Sequence, residues 1–415
     1  MKILVSSINF YPDHSGIALY STDLPVYFAE SGHEVTVVTG FPYYPNWKKR
    51  PEDGRKLFST DEYRNVKVLR GYLYVPEAPS TLKRMLHEAS FSLFAGLNFL
   101  RAGRHECIVV ISPPLLLGLV GTVFKFLWKS QLVVHVQDLQ PDTAVSLGMV
   151  KQKRLIKLLL NLEKLIYRHA SWIATITGSM RRNLAQKGVP EEKLALYPNW
   201  IDVAEVSKRK QNIPQGRFLS EHPVAQGKFV VAYAGNIGVK QGVEILVRLA
   251  QASRSHEHIH YFIIGEGAAR PQVEEYARSK ALTNVTFLPF MSQERYFEML
   301  QDIDVLFVSQ KPGTGDVFFP SKLLGIMAMR KPLLISADLD SELSTVISNA
   351  RCGLVSAPDD LDSLLENLTS LYEDKGLRKS LAQNGYEHVK AYDRKRVLSN
   401  FLAQISQRGD RSLSR

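Results

Sequence analysis

The stretch FVVAYAGNIGVKQGVEIL (Phe229–Leu246) constrains the fold of this chain more than any other. Its first six residues form an apolar run rich in Val, which is typical of a parallel strand buried on both faces. Gly235, Gly238 and Gly242 follow, and apolar residues recur at helical spacing from Val243. Such a strand, glycine turn and helix present backbone N–H groups where an anion binds, usually phosphate. The same glycines also suit a turn that binds nothing, so the rest of the chain must decide.

The length and charge of the chain set broad limits. A chain of 415 residues is too long for one hydrophobic core, so two domains are expected. The net charge of +11 suits an anionic partner: nucleic acid, an anionic membrane surface or a phosphorylated substrate. A solvated basic surface without a partner is the alternative. Cys107 and Cys352 lie far apart, which fits a reducing compartment. The N-terminus MKILVSSINF is typical of a buried strand and not of a signal peptide.

Alternating apolar strands and helices occur in two series. The first series predicts strands at Lys2–Ile8, Glu34–Thr39, Val66–Gly71, Cys107–Ile111, Leu132–Val136 and Trp172–Ile176. The second predicts strands at Phe229–Ala234, His260–Ile264, Val285–Leu288, Val305–Val308 and Leu333–Ser336. The polar segment Lys208–Lys228 between them is predicted to be a linker. The pattern therefore predicts two doubly wound α/β domains, residues 1–206 and 207–387, with ligands beyond the C-terminal strand ends in a cleft between them.

Two apolar segments of the first half carry basic residues at their ends. Residues 85–100 and Leu155–Ile166 fall short of the uninterrupted apolar length that a spanning helix needs. Helices of this kind can lie in a membrane interface, although basic-ended core helices have the same pattern. Because both segments lie in one half of a basic chain, we expect contact with an anionic membrane surface.

Four motifs in order give the chain a resemblance to a known family. They are the loop Pro12–Gly16 with AESGHEVTVVT, the segment ALYPNWID, the turns YAGNIGVKQGVE and IIGEG, and the stretch FPSKLLGIMAMRKPLL. Together these resemble the family-four GT-B glycosyltransferases, retaining enzymes that use a nucleotide-sugar donor. The resemblance covers nearly the whole chain. It implies two Rossmann-like domains facing across a cleft, with the acceptor in the first, the donor in the second, and a C-terminal helix (about 388–406) packed back onto the first domain.

A narrower resemblance rests on ISPPLLLG, VQDLQPD, PNWID and PSK. These are similar to the colanic-acid-type exopolysaccharide branch of the family. The branch implies a UDP- or GDP-sugar donor, with GDP-fucose as one candidate, a lipid-linked saccharide acceptor, and a cytoplasmic enzyme peripheral at the inner face of the plasma membrane. The family resemblance implies no cofactor and no metal.

The chain departs from the family pattern at the donor site. The two glutamates of the usual donor loop correspond to Val317 and Gly325. The usual Arg and Lys of the glycine turn correspond to Asn236 and Gln241, with Lys240 one place off.

Another cation is therefore needed for the leaving diphosphate, on which negative charge grows during transfer. We expect Lys322, at the start of a predicted helix 323–329, to share the diphosphate with the backbone of Gly235–Gly238. Lys311 in QKPGTGD is the second candidate. The predicted donor and phosphate contacts are Gly16, Gly235, Asn236, Gly238, Lys240, Glu266, Lys311, Ser321, Lys322 and Leu323. A solvated lysine at Lys322 and a helix cap at Glu266 are the structural alternatives.

Candidate acceptor residues follow the strand Leu132–Val136. Asp138 is a candidate base or orienting group for an acceptor hydroxyl, with His135 nearby, and Asp142 and Asn199 are expected on the acceptor side. Each also suits a strand end or a cap. The family resemblance allows the donor phosphate itself to act as base.

Three other functions compete with this prediction. A nucleotide-sugar epimerase of the same architecture would need no membrane acceptor, and a catalytically inactive membrane-binding homologue would need no donor glutamates. Nucleic-acid binding is not expected, because the basic residues are scattered. HEHIH (His256–His260) fits no standard zinc spacing and suits the start of a strand.

Overall fold

The computed structural model describes residues 1–13, 16–78, 80–142, 152–313 and 322–413. Its internal contacts divide the chain into two units. The first comprises Met1–Asn199 and Arg396–Arg415, and the second comprises Trp200–Lys395.

The first unit is built on an eight-stranded sheet. Its strands are β1 (Lys2–Ser6), β2 (Glu34–Gly40), β3 (Phe58–Tyr63), β4 (Val66–Gly71), β5 (Cys107–Ser112), β6 (Gln131–Val136), β7 (Trp172–Thr175) and β8 (Leu194–Leu196). The order across the sheet is β3-β4-β2-β1-β5-β6-β7-β8, and only the edge strand β3 runs antiparallel to its neighbour. The central strands are buried along almost their whole length because helices cover both faces of such a sheet.

The helices of the first unit alternate with its strands. They are α1 (Ile17–Glu30), α2 (Thr81–Ala102), α3 (Leu115–Trp128), α4 (Lys153–His169), α5 (Gly178–Gln186) and the C-terminal α15 (Arg394–Leu413). Helix α15 brings Phe401 into this core, where its ring lies 5.3 Å from that of Trp172 and 4.7 Å from that of Tyr197. The last part of the chain therefore completes the first core.

The second unit contains a fully parallel six-stranded sheet. Its strands are β9 (Phe229–Ala234), β10 (Ile259–Ile264), β11 (Val285–Leu288), β12 (Val305–Ser309), β13 (Leu333–Ser336) and β14 (Gly353–Ser356), in the order β11-β10-β9-β12-β13-β14. Its helices are α6 (Val203–Asn212), α7 (Arg217–Ser220), α8 (Glu244–Ala252), α9 (Arg270–Ser279), α10 (Gln293–Asp302), α11 (Leu323–Ala328), α12 (Glu342–Ala350), α13 (Leu361–Glu373) and α14 (Lys375–Val389). Both units thus have the predicted α/β architecture.

The linker prediction was wrong. The segment predicted as a linker, Lys208–Lys228, belongs to the second unit, where Phe218 and Ala225 are buried in the core. Asp302 fixes this segment by accepting hydrogen bonds from the backbone N–H groups of Gly216 and Phe218, at 2.6 and 2.8 Å.

Candidate active site

The glycine turn lies at the switch point of the second sheet. The chain moves outward from β9 to β10 and β11 on one side, and through β12 to β13 and β14 on the other. The crevice between the C-terminal ends of β9 and β12 is where such sheets bind ligands. Residues Gly235–Gly238 leave β9 at this point, and Gln310 and Lys311 leave β12. Ser309 Oγ donates to the carbonyl oxygen of Gln241 at 2.6 Å, which ties the two loops together.

A second glycine turn, after β10, packs directly on the first. A Cβ atom on Gly265 would lie 1.8 Å from the carbonyl oxygen of Gly235, and one on Gly267 would lie 2.3 Å from that of Ile237. Only glycine permits so close an approach of two backbones. The two turns therefore form one rigid backbone frame.

Hydrogen bonds within this frame occupy some backbone N–H groups of the first turn and leave others available to a ligand. The N–H of Gly235 donates to Ile264 O at 2.9 Å, and that of Ile237 donates to Glu266 O at 2.8 Å. Within the described ranges, the N–H groups of Asn236 and Gly238 have no such partner. The frame thus offers alternate N–H groups of the turn to an anion.

Lys322 reaches this frame from the loop before helix α11. Its Nζ atom donates to the carbonyl oxygen of Ala234 at 2.8 Å and lies 4.2 Å from the centre of the Tyr233 ring. Nζ also lies 3.0 Å from the point where a side chain on Gly235 would begin. Burial lowers the pKa of the Lys322 ammonium to about 7, because the charged form loses its hydration. A bound anion would supply a countercharge to this ammonium.

Amides stand at the two positions of the turn where the family pattern has cations. Asn236 Nδ2 lies 3.4 Å from Gln241 Oε1, so the two amides pair with each other. The Lys311 ammonium lies 2.9 Å from a Glu244 carboxylate oxygen, beside the same turn. Lys240 contributes its backbone carbonyl, which accepts from the N–H of Lys311 at 3.0 Å. Lys311 is therefore near the frame but engaged in an ion pair.

Three other residues that were predicted to contact the donor differ in where their side chains lie. The Glu266 carboxylate forms an ion pair with Arg270 one turn along the chain, so it supports the start of helix α9. The side chain of Leu323 is buried in the hydrophobic core, which leaves only its backbone for a ligand. Ser321 lies outside the described residues, as does Val317.

The first sheet has its own switch point, between β1 and β5. Asp138 follows β6 near this point and is partly exposed, and its backbone carbonyl accepts from Gln140 N–H at 3.0 Å. Gly16 precedes α1 with a φ of 60°, and the Tyr44 ring lies 3.9 Å from where its side chain would begin. Two of the predicted residues thus lie on loops at the C-terminal edge of this sheet.

His135 is not placed as an acid or base at the surface. Strand β6 extends through Val136, so His135 lies within it and is fully buried, with its ring 5.6 Å from that of Phe401. Burial lowers the pKa of its imidazole to about 4, which keeps the ring neutral. The prediction of a catalytic role at His135 does not fit this placement.

The two predicted acceptor-side residues make internal contacts. Asn199 Oδ1 accepts from Gln137 Nε2 at 3.0 Å, so it secures the end of β6. Asp142 pairs with Lys187, whose ammonium also lies 2.7 Å from the buried Glu163 carboxylate. Neither contact joins them to Asp138.

Sequence reasoning missed several polar residues at the first switch point. Asn9 Nδ2 donates to Asp13 Oδ2 at 2.9 Å, and burial raises the pKa of the Asp13 carboxyl. Gln140 Nε2 donates to Glu88 Oε2 at 2.6 Å. Glu88 is a charged residue within the apolar segment 85–100, and this feature of the sequence could have marked it as a candidate site residue.

Comparisons with known proteins agree with this architecture. Residues 15–200 match the Glycosyl transferase 4-like domain, and residues 216–388 match the Glycosyl transferases group 1 domain. The putative colanic acid biosynthesis glycosyl transferase WcaI of Escherichia coli K12 is 29% identical over 420 residues, which cover 98% of this chain and 100% of WcaI. Sucrose-phosphate synthase from Thermosynechococcus elongatus has a TM-score of 0.73 at 18% identity, with 98% of each chain covered. Anabaena Alr3699/HepE in complex with UDP has a TM-score of 0.68 at 15% identity, with 98% of this chain and 100% of HepE covered.

The solved structures share the fold, and the two family models, which cover most of the chain, define the protein as a glycosyltransferase. The chain belongs to the glycosyltransferases that join a glycosyl transferase 4-like domain to a group 1 domain.

Proposed function

We propose that this enzyme transfers a sugar, with retention of configuration, from a UDP- or GDP-sugar to a lipid-linked saccharide during synthesis of a surface polysaccharide. The part of this proposal that concerns the nucleotide-sugar donor rests on the position of the Lys322 ammonium beside the frame formed by the two glycine turns. The similarity to WcaI supports the polysaccharide assignment, and the similarity to the UDP complex of HepE supports a nucleotide donor.

The donor diphosphate binds against the N–H groups of Asn236 and Gly238, with Lys322 as its cation. During transfer the bond between the anomeric carbon and the diphosphate breaks, and charge accumulates on the leaving oxygen. A preorganised ammonium and fixed N–H dipoles stabilise that charge more than they stabilise the bound donor. Asn236 and Gln241 are uncharged and the Lys311 ammonium pairs with Glu244, so Lys322 supplies the cation in this proposal.

The acceptor half of the proposal rests on a surface of the first unit. Helix α2 packs against α3, and α3 packs against α4. These three helices expose a set of large apolar side chains, here called the apolar helix surface: Leu82, Leu86, Leu93, Leu97, Leu100, Val123, Phe126, Leu127, Leu158, Leu160 and Leu165. Exposed basic side chains occur on or next to the same helices, at Lys83, Arg84, Arg101, Lys129, Lys157, Lys164 and Arg168.

Apolar side chains interleaved with basic ones match the interface of an anionic bilayer, in which acyl chains and phosphates lie close together. Among the described helices, none is long and apolar enough to cross a membrane. We therefore propose that the enzyme binds the inner face of the plasma membrane peripherally and meets its acceptor there.

The test is transfer to a polyprenyl-diphosphate-linked monosaccharide in phosphatidylglycerol-containing vesicles, with UDP-glucose, UDP-galactose, GDP-mannose and GDP-fucose as donors. A lipid product heavier by one sugar, whose new linkage keeps the donor's configuration by NMR, is expected with one nucleotide. Conversion of the nucleotide sugar to an isomer without acceptor would instead support an epimerase. Binding to vesicles without turnover of any donor would support an inactive homologue.

A further inference from the structure

Loops after four strands converge at the C-terminal edge of the first sheet. Asn9 and Asp13 follow β1, and Tyr43 follows β2. Leu115 follows β5, and Gln140 follows β6. The switch point between β1 and β5 lies among these loops, and crevices of this kind hold the ligands of doubly wound sheets.

Glu88 of helix α2 is attached to this edge through Gln140. The Gln140 side chain is fixed at both ends, because its Oε1 accepts from the N–H of Leu115 at 2.7 Å while its Nε2 donates to Glu88 Oε2 at 2.6 Å. Within the described ranges, the other carboxylate oxygen, Oε1 of Glu88, accepts no hydrogen bond. The Glu88 carboxylate is thus held by one oxygen, and its second oxygen is left for a ligand.

The surroundings of Glu88 adjust its proton affinity. The pKa of its carboxyl is raised to about 7, mainly by burial; the nearby Asp138 carboxylate also raises this pKa, whereas Gln140 and Arg84 lower it. Glu88 in turn raises the pKa of the Tyr43 hydroxyl, although burial of Tyr43 is the larger cause. A carboxylate that exchanges its proton near neutral pH is suited to general base catalysis.

We propose that Glu88 is the residue that binds the attacking hydroxyl of the acceptor and takes its proton. This rests on the proposed transfer reaction. The acceptor oxygen attacks the anomeric carbon from the same face that the diphosphate leaves, so the new bond forms as the old one breaks and the configuration is retained. The bonding electron pair leaves with the nucleoside diphosphate, and the hydroxyl proton passes to Glu88 Oε1. Asp138, the base suggested by position along the chain, then acts as a neighbouring charge that keeps Glu88 basic.

The test compares Glu88→Gln, Glu88→Asp and wild type, with Glu163→Gln as a matched control. The Gln variant keeps an oxygen for Gln140 Nε2 and removes only the ionisable group. Glu163 is a buried carboxylate of the same unit that pairs with Lys187. At saturating donor, kcat/KM for the lipid-linked acceptor is measured between pH 5.5 and 9.

For wild type, kcat/KM should fall about tenfold per pH unit below pH ~7, because the base becomes protonated. Glu88→Gln should lower kcat about a hundredfold or more and remove this acidic limb. Glu88→Asp and Glu163→Gln should keep the limb. Nucleotide affinity, measured by calorimetry, should not change in any of them.

Two outcomes would overturn the inference. One is a Glu88→Gln enzyme that keeps wild-type kcat, and the other is one that keeps the acidic limb. Failure of the wild type itself to transfer sugar would instead count against the proposed function, which separates the two failures.

Discussion

The Nζ atom of Lys322 lies 2.8 Å from the carbonyl oxygen of Ala234, the residue at which strand β9 ends. A lysine from a different loop thus reaches the place where the glycine turn begins. Its ammonium therefore lies beside the turn against which we propose that the donor diphosphate binds.

Replacing Lys322 by Met should lower the affinity for the donor's nucleoside diphosphate about tenfold to a hundredfold. A hydrogen bond between charged groups contributes about 1.5–3 kcal/mol, and about 1.4 kcal/mol corresponds to a factor of ten. Isothermal titration calorimetry with UDP and GDP measures the effect. Lys331→Met is the matched control, because Lys331 is another lysine with a lowered pKa, which donates to the backbone carbonyls of Gln301 and Ile303. Equal losses of affinity in both variants would contradict the role of Lys322.

Nucleotide affinity should depend on pH through Lys322. The pKa of its ammonium is about 7 in the free protein, and a bound diphosphate raises that pKa because it favours the charged form. Above pH ~7 binding therefore takes up a proton, and affinity should fall with rising pH by up to about tenfold per unit. Calorimetry between pH 7.5 and 9 in buffers of different ionisation enthalpy measures this uptake. Lys322→Arg should remove it, since Arg stays charged throughout; a pH dependence that persists in this variant would assign the proton to another group.

Gly267→Ala should destabilise the second unit more than a substitution that only strains the backbone. Its new Cβ would lie 2.3 Å from Ile237 O, so the two turns must separate and the hydrogen bonds between them must break. Overpacking of this kind costs about 1–3 kcal/mol, in addition to the left-handed backbone cost. Gly227→Ala is the control, because φ at Gly227 is also positive, at +72°, but no atom lies within 4 Å of its added Cβ. Thermal melts should show a larger fall in Tm for Gly267→Ala than for Gly227→Ala. Added nucleotide should still stabilise Gly227→Ala but no longer stabilise Gly267→Ala.

Leu93→Glu should weaken binding to anionic vesicles about tenfold or more. Burial of a leucine side chain is worth about 1.5–3 kcal/mol, which the charged residue forfeits. Leu339→Glu in the second unit is the matched control, since Leu93 and Leu339 are both 65% exposed. Sedimentation with phosphatidylglycerol vesicles measures binding, which should also decrease as salt rises. Equal binding of both variants would exclude helix α2 from the membrane contact.

Most strands of both sheets could be predicted because a parallel strand that is buried on both faces consists mainly of apolar residues. Val66–Gly71, Phe229–Ala234, Val285–Leu288 and Leu333–Ser336 agree with the structure at both ends. Strand β3, Phe58–Tyr63, was missed because it is a polar edge strand with mostly exposed side chains. Its pairing with β4 depends on tertiary contact and not on its own apolar pattern.

The site was only partly predictable, for a related reason. The glycine turn and Lys322 could be found locally, because a turn after a strand and a lysine before a helix are visible along the chain. Along the chain Glu88 is visible only as a charged residue in an apolar segment, because its contact with Gln140 joins a helix to a strand end about fifty residues away and depends on which strands are neighbours. His135 lies within the predicted strand Leu132–Val136, but its burial could not be predicted locally, because it depends on helix α15, which places the Phe401 ring 5.6 Å from the His135 ring.

Helix α2 carries Glu88 toward the end of the sheet and exposes Leu86, Leu93 and Leu97 to the outside. If Glu88 binds the acceptor and the apolar helix surface binds the membrane, as we propose, then helix α2 contacts the acceptor on one side and the lipid on the other. The acceptor is then met by lateral diffusion in two dimensions, and its effective concentration is its mole fraction in the bilayer. Dilution with inert phospholipid should slow turnover at constant bulk acceptor, whereas dilution with buffer should leave turnover per bound enzyme unchanged.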